Sequence, residues 1–63
     1  MDAQEEVLKN VYDNACELLS IHASKEDFYH LFEESKAKIT RPSLLKMLEN
    51  YENAFYELAE LRQ

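Results

Sequence analysis

Apolar residues recur at steps of three and four along almost the whole chain. From Asp2 to about His22 they fall at Leu8, Val11, Tyr12, Ala15, Leu18 and Leu19, with Val7 and Ile21 widening the stripe. That spacing follows a period of 3.6 residues and predicts an amphipathic helix rather than a strand. Asp2, Glu5 and Glu6 suit its first turns, because a helix N-terminus carries partial positive charge. The stretch His22-Ala23-Ser24-Lys25-Glu26-Asp27-Phe28 reads as a stop and a restart. Ser24 is a good N-cap and Asp27, three residues on, completes a capping box; Ala23 and Phe28 flank it as a small hydrophobic staple. A second helix is predicted over about 25–38. Its apolar positions are Phe28, Leu31, Phe32 and Ile39, with Tyr29 at the edge and Lys36 and Lys38 in the last turn, where cations are favoured.

Ile39-Thr40-Arg41-Pro42-Ser43 marks the next boundary. Proline disfavours helix at the residue before it and fits a first helical turn, with Thr40 or Arg41 as the cap. The third helix is predicted over 42–62, ~30 Å long at 1.5 Å per residue. Leu44, Met47, Leu48, Tyr51, Ala54, Phe55, Leu58 and Leu61 form its stripe, and Leu45, Tyr56 and Ala59 lie off it. The predicted fold is all-α: one domain over 1–63, a three-helix bundle in long–short–long order with helices at about 2–22, 25–38 and 42–62. The expected buried face of the third helix is Leu44, Leu48, Tyr51, Phe55 and Leu58. Both boundaries are short, so consecutive helices should be antiparallel or steeply angled neighbours. Leu44, Tyr51 and Leu58, and likewise Met47, Ala54 and Leu61, repeat every seven residues, a spacing suited to a helix pair between two chains.

Composition narrows the class. The 63 residues include no glycine, one proline and the single Cys16, so an internal disulfide is excluded and a reducing cytosol is the expected compartment. No apolar run approaches the ~20 residues of a membrane span. The opening Met-Asp-Ala-Gln-Glu-Glu lacks the basic start and apolar core of a signal peptide. A core this small rarely supplies more than ~3–5 kcal/mol. That points to association: a homo-oligomer, most simply a homodimer through the long helices, or a protein partner.

Charge removes further classes. The net charge is −6, with −4 in residues 1–23 and −1 in each of 24–40 and 41–63. Direct nucleic-acid binding needs a basic face, and an anionic membrane surface would repel the chain. The third segment, with Glu49, Glu52, Glu57 and Glu60, is no recognition helix for DNA. Asp2, Glu5, Glu6, Asp13 and Glu17 permit two readings. Either they imitate phosphates and occupy the basic groove of a DNA- or RNA-binding protein, or they are a solvated face that aids solubility.

Reactive chemistry has little to stand on. Without glycine no phosphate-cradling loop exists. His30 has Asp27, Glu33 and Glu34 at helical spacing, but His-Glu-x-x-His is absent. A metal on Asp27, His30 and Glu34 would need ligands from a second chain. Cys16 has Asp13 and Glu17 beside it, which oppose thiolate formation; it reads as a small, partly buried structural residue. No catalytic residue, metal or cofactor is expected. Among the aromatics, Phe28, Phe32 and Phe55 fit the core. Tyr29 and Tyr56 fall off the main stripes, and tyrosine is common at interface hot spots. Leu45, Tyr56, Ala59 and Tyr29 are the expected protein interface. The expected function is a small acidic non-enzymatic interaction module, a regulator or inhibitor that binds another protein; the alternative is the nucleic-acid mimic.

Overall fold

The computed structural model describes residues 2–61. Three helices pack against one another, α1 (Ala3–Ser20), α2 (Lys25–Lys38) and α3 (Pro42–Leu61), of 18, 14 and 20 residues. No strand occurs among the described residues, and Arg62, the expected last residue of α3, lies outside them.

Each boundary has a local cause. Asp2 is the N-cap of α1, and its carboxylate accepts the Gln4 backbone N–H at 2.8 Å. Helix α1 stops two residues short of the expected end at His22. The Ala23 N–H donates to the Leu18 carbonyl and the His22 N–H to the Leu19 carbonyl, a Schellman closure with His22 in the left-handed region at φ 54°. Glycine usually takes that position, and a chain without glycine uses histidine, one of the side chains enriched there. The capping box before α2 is complete: the Ser24 hydroxyl accepts the Asp27 N–H, and the Asp27 carboxylate accepts the Ser24 N–H. Pro42 opens α3 as its first helical residue, where a missing N–H costs nothing, and the Arg41 carbonyl accepts the first helical bond, from Leu45.

Two polar clasps show how the helices run. The Gln4 side chain accepts the backbone N–H groups of Thr40 and Arg41, both at 3.1 Å, and donates to the Thr40 hydroxyl at 2.9 Å. Arg41 also forms ion pairs with Asp2 and Glu5. The starts of α1 and α3 therefore share one end of the molecule. At the other end, Lys25 of α2 meets Glu60 of α3 at 3.0 Å. Helix α2 thus returns antiparallel between the starts of two helices that run the same way.

The core is Leu8, Val11 and Ala15 from α1, Phe28 and Phe32 from α2, Ile39 after it, and Leu44, Leu48 and Phe55 from α3. Phe55 is its hub, with ring centroids 5.5 Å from Tyr12, 6.4 Å from Phe28 and 6.2 Å from Phe32. Two expectations are corrected. Leu58 is not buried but 45% exposed, and Cys16 is exposed rather than partly buried. The reason on α3 is rotational. Its covered arc contains Leu44, Leu48, Glu52 and Phe55, flanked by half-buried Leu45, Tyr51, Tyr56 and Ala59. The arc is turned roughly 50° from the expected face, about half the step between successive residues.

Candidate protein-docking surface

The two grooves beside α3 have opposite chemistry. On the α2 side Glu52 is only 8% exposed, and its carboxylate is fully engaged. Lys36 reaches it at 2.7 Å and the Tyr56 hydroxyl donates to it at 2.9 Å. The Tyr56 ring lies edge-on to Phe32 at 6.3 Å, with the Lys25 ammonium 5.8 Å from its centroid. Burial, then the bond to Glu52, pushes the Tyr56 phenol up to about 12. The bond to Glu52 raises Lys36 above its ordinary value. Tyr29, half exposed, sits at the same seam, its phenol raised chiefly by a hydrogen bond with Glu33. This polar seam is satisfied from within.

On the α1 side the surface is apolar and open. Met47 is 43% exposed, Leu58 45% and Leu61 82%, and Ala54 is exposed on the same side of α3. Tyr12 of α1, 46% exposed, stands edge-on to Tyr51 at 5.2 Å and closes the seam between the two helices. A shallow groove of about 290 Å³ runs beside the tyrosine pair, lined by Glu5, Leu8, Lys9, Tyr12, Asp13 and Tyr51. Two tyrosine rings with polar tips and a methionine, residue types enriched at protein interfaces, thus lie above a filled core.

The four residues expected at an interface lie on the other side. Leu45, Tyr56 and Ala59 pack half-buried against the chain's own core, and Tyr29 is exposed on α2. The Met47–Leu61 stripe lies within the heptads seen in the sequence, but its exposure depends on the rotation of α3. Of the acidic residues, Asp2 and Glu5 are tied to Arg41, whereas Glu6, Asp13 and Glu17 are exposed on α1. Among the described residues no three His, Cys, Asp or Glu side chains come together as a metal ion requires. No described helix is long and apolar enough to cross a membrane. Compared with known proteins, the chain matches no family model, no curated protein and no solved structure at a significant level.

Proposed function

We propose that this chain is a small non-enzymatic protein-interaction module that regulates or inhibits a protein it binds through the α1–α3 face. The carrying observation is the exposed stripe of Tyr12, Met47, Leu58 and Leu61 beside a core already filled by three phenylalanines. Contiguous apolar surface of this kind on a small protein usually marks an interface. The polar α2–α3 seam supports the choice of face, since its charges and hydroxyls are already paired.

The mimic reading has weaker support. Two of its five acids are held by Arg41. The other three spread over ~16 Å of helix at 1.5 Å per residue, where B-DNA presents about ten charges at one per ~1.7 Å.

Affinity capture from source cells tests the proposal, comparing the unaltered chain with Met47→Ser, Leu58→Ser and, as a control in the α1–α2 groove away from α3, Glu34→Ser. A protein retained by the first and last baits and lost by the two α3 variants is the expected result; its activity is then assayed with and without the chain. Identical capture by all four baits would sink the assignment. A protein lost only when Glu6, Asp13 and Glu17 are changed together to Gln would replace it with the mimic.

A further inference from the structure

We draw no further inference here: the strongest candidate, the exposed apolar stripe of α3 beside the Tyr12–Tyr51 groove, is bordered on α1 by charges of both signs, Glu5, Lys9 and Asp13, and nothing in the structure shows what covers it.

Discussion

Lys36→Met strands a carboxylate inside the α2–α3 seam. Glu52 occupies the middle of the covered arc of α3, and Lys36 at 2.7 Å is its only charged partner among the described residues. Breaking a buried pair on one side costs about 3–5 kcal/mol when both groups are sealed from water. Here the Lys36 side chain is 32% exposed, and Glu52 retains the Tyr56 hydroxyl. Water reaches the site, so the cost falls to about 1–2 kcal/mol. For a chain of this length total stability is about 3–9 kcal/mol, and each kcal/mol moves the midpoint by about 4–8 °C. Lys36→Met should therefore lower Tm by about 5–15 °C. Glu52→Leu in the same chain should restore most of the loss, because a leucine fits an arc lined by Leu48 and Phe55. Urea melts followed by far-UV circular dichroism give the four corners of the double-mutant cycle. Strict additivity, with Lys36→Met equally costly whether residue 52 is Glu or Leu, would refute the claim that these two side chains depend on each other.

Two further outcomes follow from the same seam and its neighbour. Phe55→Ala should cost about 3–5 kcal/mol, enough to unfold much of the protein, while Tyr56→Ala should cost about 2 kcal/mol, lost from folding rather than association, because the ring packs on Phe32. Melts at equal concentration check the order, and a more damaging Tyr56→Ala would mean the arc is centred elsewhere. In alkali the Tyr56 proton is held more tightly folded than unfolded, since its value rises from 10.0 to about 12. Stability from the neutral phenol is complete below pH 10.0 and lost as pH climbs toward 12. Phenolate absorbance should show a late-titrating tyrosine that Tyr56→Phe removes; an unchanged titration curve would contradict the assignment.

The helices and both breaks were legible in the sequence because each carries a local signal: the period of three and four, Ser24 with Asp27, and Pro42. The last turn of α1 was misjudged because its stop is a hydrogen-bond pattern closed by a histidine rather than by the glycine that usually announces it. The face of α3 was misjudged because Glu52 reads as polar. A carboxylate in the middle of an arc pushes the inferred centre away from itself, toward Met47 and Leu58. Only the positions of Lys36 and Tyr56, one of them on another helix, show that the carboxylate is neutralised and can turn inward. The candidate face was therefore hidden by a long-range pairing, while its heptad spacing was in plain view.

Helix α1 contributes Leu8, Val11 and Ala15 to the interior, whereas α2 and α3 supply all three phenylalanines and two of the three buried leucines. Its attachment also relies on the exposed clasp of Gln4 and Arg41. Opening free energy follows buried apolar contact, and α1 packs against both other helices at least as extensively as they pack against each other, so its release would uncover α2 and α3 together. The core is thus divided by chemistry, with aromatic rings from α2 and α3 closed over by the aliphatic side chains of α1. Tyr12 is carried by α1 and Tyr51 by α3, so the tyrosine pair exists only while those two helices are docked on each other.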